Sequence, residues 1–304
     1  MKAIVLTCDK YLFLADHMID SYQRHWSTNP FTFRVPYGEE YPQLLKEKYG
    51  EKVELIQTDS AKVIYPIQTA EGTKKVSLIK PTVLTLLEDI PDEEWVYWCL
   101  DDRYLIKIKE IEVMKLYYWI KDLQDGSISS INFNRVVDSK HEDLKVNNTI
   151  INPNKQLFIE RKNHRLLFRH QFFRAKVLRT VFESFPNRPF FPIEMNPFKM
   201  QVKIPEDQKL YISEKNMAIF GESTTRGKLT WNCTLSFQKS GLEIPKHLKV
   251  SSLIETYGEL PPVFLGKEIV LPKYWRKNKY KLNWQYIKYK FQNLLTAFDD
   301  NPYG

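Results

Sequence analysis

The order of apolar and polar positions predicts an alternation of strands and helices from the first residues onward. Residues 2–7 carry a buried-strand pattern, and Thr7-Cys8-Asp9-Lys10 interrupts it with polar groups. From 12 to 26, Leu14, Met18, Tyr22 and Trp26 recur at helical spacing. Phe31-Thr32-Phe33-Arg34-Val35 alternates as a second strand, ended by Pro36 and Gly38. Tyr41 to Tyr49 predicts a short helix with Gly50 as its C-cap, and Val53 to Ile56 a third strand followed by Thr58-Asp59-Ser60. A helix is expected from about Ser77 to Glu88, with Pro81 near its first turn, where a missing N–H costs little. Residues 95–100 are almost unbroken apolar, the pattern of a strand covered on both faces.

That strand runs straight into Asp101-Asp102-Arg103 before the chain turns apolar again at Tyr104-Leu105-Ile106. Four strands alternating with helical segments imply a mostly parallel sheet. Strand ends in such a sheet share one edge, where open α/β sheets bind their ligands. Thr7/Asp9, Thr58/Asp59 and Asp101/Asp102/Arg103 are therefore expected to converge on one ligand. The plain alternative is a set of solvated strand ends whose acids pair with nearby lysines.

Further along, Val113, Leu116, Tyr117 and Ile120 make the apolar face of a helix over 110–123, and Ser127 to Val137 reads as a strand. The polar segment 138–156 reads as a long loop placed to lie over a substrate. Phe168 to Phe173 is a short strand, followed by a helix from Ala175 to Phe185 that Pro186 stops. Pro186, Pro189, Pro192 and Pro197 then punctuate a segment containing Ile193-Glu194-Met195-Asn196. Tyr211-Ile212 and Met217 to Phe220 are short strands, and Thr224-Thr225-Arg226-Gly227-Lys228 is a basic loop.

Composition narrows the class. The chain has 304 residues, 43% of them apolar and only 10 of them glycine, which describes an ordinary globular protein with room for a real core. A net charge of +8 favours an anionic partner: nucleic acid, a phosphorylated small molecule or an acidic membrane. Cys8, Cys99 and Cys233 lack any metal-site or disulfide spacing, so a reducing compartment is expected. No stretch approaches the ~20 apolar residues of a membrane span, and the N-terminal apolar run is too short for a signal peptide. The expected location is the cytoplasm, with the inner membrane face as a peripheral site. That last point comes from Lys273 to Lys290, which holds seven basic residues and no acid, with Trp284, Ile287 and Phe291 at helical spacing. Such a basic aromatic helix docks on anionic lipid, packs on the protein body, or stacks RNA bases.

Neither GxGxxG nor GxxxxGK[ST] occurs, so no glycine cradle holds a phosphate. With Ile4-Val5-Leu6-Thr7-Cys8-Asp9-Lys10-Tyr11, Leu100-Asp101-Asp102-Arg103-Tyr104-Leu105, Arg169-His170-Gln171 and the path from Ile193-Glu194-Met195-Asn196-Pro197 to Thr225-Arg226-Gly227-Lys228, the chain resembles a GT-A-fold glycosyltransferase of the bacterial capsule and surface-polysaccharide type. The resemblance covers roughly residues 1–235, and it rests on the order of these motifs along the chain. It implies a Rossmann-type mixed α/β sheet flanked by helices. Residues 1–107 would form the nucleotide-binding half and 108–235 the acceptor half, with 236–304 as an extension carrying the basic helix. The partners implied are a nucleotide-sugar donor and a glycan or lipid-linked acceptor, with no nucleic acid.

In that family a DxD-like motif holds a divalent cation on the donor diphosphate, which makes Asp101 and Asp102 the expected Mn²⁺ or Mg²⁺ ligands. This chain departs from the pattern, because Arg103 stands where the ligating acid is usual. Either Asp101 or Asp102 still holds the metal, or Arg103 neutralises the diphosphate itself. By the same resemblance, Thr7, Asp9 and Asp59 lie near the donor base and ribose, and Lys80 contacts phosphate or is an exposed helix lysine. Glu194 is the candidate base for the acceptor hydroxyl, or else a loop glutamate paired with Lys199 or Arg188. His170 and Gln171 face the acceptor, unless His170 is a satisfied, half-buried histidine. Arg226 and Lys228 close over the phosphates or sit at a solvated turn. Two other classes remain: a nucleic-acid-binding protein, and a nucleotidyltransferase, which would need a glycine-rich loop that Thr7 to Tyr11 lacks.

Overall fold

The computed structural model describes residues 1–58, 60–62, 75–134, 144–161, 167, 169–185, 204–222, 237, 241–244, 263–264 and 267–268. In chain order the elements are β1 (Lys2–Leu6), α1 (Leu12–His25), β2 (Thr32–Tyr37), α2 (Gln43–Tyr49), β3 (Val53–Gln57), β4 (Ser60–Lys62) and β5 (Lys75–Ser77). There follow α3 (Ile79–Leu87), β6 (Trp95–Leu100), β7 (Arg103–Ile108), α4 (Glu110–Asp122), β8 (Ile128–Asn132), β9 (Leu144–Ile151) and β10 (Leu157–Arg161). The last are β11 (Gln171–Arg174), α5 (Ala175–Glu183), β12 (Lys209–Ser213), β13 (Ala218–Glu222), β14 (Val263–Phe264) and β15 (Lys267–Glu268).

Two compact units result, one made of Met1–Arg103 with Ile108–Ala218 and the other of Tyr104–Lys107 with Ile219–Gly304. The first is built on a nine-stranded mixed sheet in the order β3-β2-β1-β6-β11-β8-β12-β10-β9. β3, β2, β1 and β6 are all parallel, β11 runs against both β6 and β8, and β10 runs against β12 and β9. The expected α/β class with a mixed sheet flanked by helices is therefore what forms. In the second unit β7 pairs with β13, Tyr104 packs edge-on against Phe237, and β14 and β15 form a short antiparallel pair. The basic segment Lys273–Lys290 lies outside the described residues.

The unbroken apolar run of β6 has a direct cause in packing. Tyr97 faces α1, where it stacks on Phe31 at 4.2 Å and meets Tyr22 and Phe172. Its neighbours Val96 and Trp98 face the other way, into a core shared with Val83, Leu86 and Leu87 of α3 and Val177, Leu178 and Phe182 of α5. Each large buried ring contributes about 2–3 kcal/mol of transfer free energy. Of the charged residues inside these four strands, Lys2, Arg34 and Glu54, the buried one is Arg34. Its guanidinium is buried and bonds Glu54 at 3.0 Å, the Leu86 carbonyl at 2.7 Å and the Asp89 carboxylate.

Several boundaries differ from the sequence expectation. β2 continues through Pro36 instead of stopping there, because its pairing with β1 ends at Arg34 and Pro36 then has only β3 beside it. A missing N–H is tolerated at such an edge-like position. The segment 138–156 is not one long loop. It contains β9, the outermost strand, and a turn into β10 in which Asn152 Oδ1 accepts the N–H groups of Asn154 and Gln156. The outermost strand has a neighbour on one side only, so its residues show little of the alternation that marks a half-buried strand. Of the strand expected over 127–137, Ile128–Asn132 forms, and residues 135–137 fall outside the described set. Among the described residues, no helix is long and apolar enough to cross a membrane.

Candidate functional site

Because β3, β2, β1 and β6 run parallel, their carboxyl ends lie along one edge. Register sets Leu6 beside Leu100, so Thr7 and Asp101 follow as neighbours, and the Asp101 N–H reaches the Leu6 carbonyl at 3.4 Å. The Thr7 hydroxyl is buried and makes no hydrogen bond of normal geometry among the described residues. Burial, reinforced by the adjacent Asp102 carboxylate, raises the Asp101 carboxyl well above the usual aspartate range. Arg103 Nε stands 3.9 Å from Asp102 Oδ1, and both side chains are partly exposed. Cys8, which was not among the expected site residues, joins this group. Burial raises its thiol, and the Asp101 charge adds to the effect.

Asp9 plays a different part. Its Oδ1 accepts the Gly38 N–H at 2.8 Å and its Oδ2 accepts the Glu39 N–H at 3.4 Å, so the loop after β1 holds the loop after β2. A Cβ on Gly38 would lie 2.7 Å from Asp9 Oδ2, which explains the glycine. Thr58, at the end of β3, donates its N–H to the Tyr37 carbonyl at 2.8 Å and its hydroxyl to the same oxygen at 3.3 Å. The edge is therefore laced together from β3 to β6 by the residues that end its strands.

Other expected residues are placed elsewhere. Lys80 Nζ donates to the Glu183 carbonyl at the end of α5, 2.6 Å away, which ties two helices together and engages the ammonium. His170, expected at the acceptor, is 1% exposed. Its Nε2 lies 2.8 Å from the Leu100 nitrogen and 2.9 Å from the Leu100 carbonyl oxygen, and its Nδ1 lies 2.6 Å from the Tyr22 hydroxyl, so both ring nitrogens are engaged inside the fold. Burial pushes its pKa down to about 3, so the ring stays neutral. Gln171 is also fully buried. Its Oε1 accepts from Ser130 and Arg161, and its Nε2 donates to the Arg169 carbonyl. Alternation along a four-residue strand cannot tell a polar side chain that faces a ligand from one that joins strands internally. Only the neighbours decide that. Asp59, Glu194, Arg226 and Lys228 lie outside the described residues.

A cation at this edge would rest on Asp101 and Asp102. Among the described residues, no cluster of three or more His, Cys, Asp or Glu side chains could hold a metal ion. Two carboxylates are nevertheless a fitting protein share for Mg²⁺ or Mn²⁺, which commonly complete their shells with phosphate oxygens and water.

No protein-family model matches the chain, and no curated protein matches its sequence. Among solved structures, the chain is similar to an active-site mutant of LgtC, a galactosyltransferase also solved with donor and acceptor sugar analogues. That likeness is at 11% identity over 91% of this chain and 99% of LgtC, with a TM-score of 0.36. It is also similar to 4-diphosphocytidyl-2C-methyl-D-erythritol synthase from Anaerococcus prevotii, at 12% identity, 72% and 89% coverage and a TM-score of 0.36. A third likeness is to the glycosyltransferase GlyE of Streptococcus pneumoniae, at 9% identity and a TM-score of 0.33. It covers 68% of this chain and 40% of GlyE. These identities leave the family of the chain open.

Proposed function

We propose that the protein is a GT-A-type glycosyltransferase that moves a sugar from a nucleotide-sugar donor to a polysaccharide or lipid-linked acceptor during surface-polysaccharide synthesis. The observation that carries this reading is the parallel edge at which Thr7, Asp9 and Asp101-Asp102-Arg103 end neighbouring strands. The sequence has no GxGxxG or GxxxxGK[ST] run, so in this reading charge and hydroxyl groups bind the donor. In this reading Thr7 contacts the nucleoside, and Asp9 shapes the wall beside it by holding Gly38 and Glu39. Asp101 and Asp102 are the groups that would hold Mn²⁺ or Mg²⁺, and such an ion, when bound, offsets the charge that develops on a departing nucleoside diphosphate. Arg103 supports the same role by offering a guanidinium to a phosphate oxygen. Glu194 remains the proposed base for the acceptor hydroxyl.

The first loop favours this reading over nucleotidyl transfer, since Cys8 to Tyr11 make a short 3₁₀ turn without glycine. The experiment is thermal-shift screening with UDP, GDP and CMP, each with and without Mn²⁺, followed by a turnover assay. One nucleoside diphosphate should raise Tm in a Mn²⁺-dependent manner. Asp102→Ala should remove that dependence and cut turnover by about 10²-fold or more, with the Tm of the unliganded protein unchanged. Near-normal turnover in Asp102→Ala would take the carboxylate pair out of the mechanism. Indifference to every nucleotide, with shifts from oligonucleotides instead, would overturn the enzyme reading.

A further inference from the structure

On the other side of β6 the sheet buries a cation, Arg161, that no described residue provides with a counter-charge. Arg161, the last residue of β10, is 6% exposed. It is paired in register with Leu210, which is paired in turn with Ser130, so all three lie on one face of the sheet. Asn132, two residues beyond Ser130 on β8, shares that face. The Arg161 guanidinium donates through Nη2 to Gln171 Oε1 and, at 3.5 Å, to Ser130 Oγ. Both acceptors are neutral. Its Nε has no partner among the described residues, and neither has the Asn132 Nδ2, in a side chain that is 0% exposed. The Asn132 amide cannot be turned to use its other end, because Oδ1 already accepts the Asn134 N–H at 2.8 Å. Among the described residues no carboxylate pairs with Arg161. Glu160, its neighbour on β10, takes the Asn148 amide at 2.9 Å, and strand alternation sends it to the opposite face.

A buried guanidinium held only by an amide and a hydroxyl is costly, and a second cation makes it more so. Burial, with the nearby Arg169 charge adding to it, lowers the pKa of Arg161 to about 9. All the unused groups here are donors: one on the planar fork of an arginine, one on an amide. That set fits a planar or tetrahedral oxyanion.

We propose that Arg161 and Asn132, framed by Ser130 and Gln171, form an oxyanion-binding subsite for a carboxylate or phosphate group. The subsite stands on these contacts alone. One further clause, that the group belongs to an anionic sugar acceptor, rests on the glycosyl-transfer reading. Gln171 sits opposite Trp98 in β6, three residues before Asp101, so the subsite lies on strands that adjoin the donor edge.

The test is thermal denaturation of the full chain without nucleotide or divalent cation, at constant ionic strength, with sodium phosphate or sodium glucuronate titrated against chloride. Wild type should show a saturable rise of about 5 °C or more near 100 times Kd. Arg161→Met should show no such rise, and its Tm without ligand should equal or exceed that of wild type, because an unpaired buried charge has been removed. Asn132→Asp places a carboxylate beside the guanidinium and should raise the basal Tm while abolishing the response. It also serves as the decisive variant if Arg161→Met does not fold. A response to phosphate alone, glucuronate alone, or both identifies the source of the oxyanion. A flat wild-type response to both, or an undiminished response in the variants, overturns the proposal. The Mn²⁺–nucleotide shift, read on the same proteins, reports the donor edge separately. Its loss in wild type would count against glycosyl transfer and leave the oxyanion result intact.

Discussion

The two halves of the nine-stranded sheet handle polarity in opposite ways. In the parallel half, β3-β2-β1-β6, buried polar side chains are few and fall at strand ends, as with Thr7 and Thr58, or within a saturated ion pair, as with Arg34. In the other half, β11-β8-β12-β10-β9, the interior itself is polar: Ser129, Ser130, Asn132, Glu160, Arg161, Gln171 and Arg174 are all buried within strands. A parallel strand flanked by helices on both faces has no room for an unsatisfied polar group, so its chemistry is displaced to the edge. Antiparallel and mixed strands carried by side-chain networks can keep theirs inside, provided that each group finds a partner. The first arrangement makes a site at a rim, and the second makes one within a wall.

Breaking the apolar half should have the largest effect. Phe33→Ala in β2 removes a ring that is 0% exposed and packed edge-on against Tyr22 and Phe31. Urea denaturation should show a loss of about 3–5 kcal/mol. A loss below about 1 kcal/mol would mean that this half is not the stability core.

The second prediction is acid sensitivity in the polar half. His170 has an ordinary value of 6.5 and is held at about 3 in the fold, so the unfolded chain binds its proton first as pH falls. The stability contributed by its neutral ring is therefore fully present above pH 6.5 and is lost progressively down to about pH 3. At pH 5 the loss should be about 2 kcal/mol. His170→Asn should flatten the stability curve between pH 6.5 and 5, even if it lowers the plateau. A curve as steep as wild type would assign the acid sensitivity to other groups.

The smallest effect is expected at the rim. Gly38→Ala puts a methyl group into the Asp9 carboxylate and should cost about 1 kcal/mol, because the loop is exposed and can shift. Its use is diagnostic: nucleoside diphosphate affinity should fall more than stability does. Equal affinity would mean that the Asp9–Gly38 clasp does not shape the donor wall.

How much of this was legible depends on which half is considered. The rim could be read from the chain, since strands 2–7 and 95–100 are marked by apolar runs that stop at Thr7 and at Asp101. A parallel α/β pattern then requires those stops to share an edge. What the pattern did not distinguish is use. Asp9, read as a donor contact, spends its carboxylate on the loop after β2, and Lys80, read as a phosphate contact, caps α5. In the other half the reading was weaker throughout. His170 and Gln171 were named as acceptor contacts through the resemblance, and in the fold both are buried and hydrogen-bonded to neighbouring strands. Arg161 was not singled out, because β10 follows the stretch 138–156 that looked like loop, and no element was read between it and Phe168.

The sequence alone determined the α/β class, the position of the central strand and the residues at which it ends, because burial on two faces leaves an apolar run that polar groups can only terminate. Tertiary structure decided the order of strands beyond β6, the antiparallel insertion of β11, and the convergence of Arg161, Ser130, Asn132 and Gln171 from three strands far apart in the chain. Such pairings join residues on different strands, as Ser130 and Gln171 do across 41 residues and Arg161 and Ser130 across 31, and no local periodicity records them.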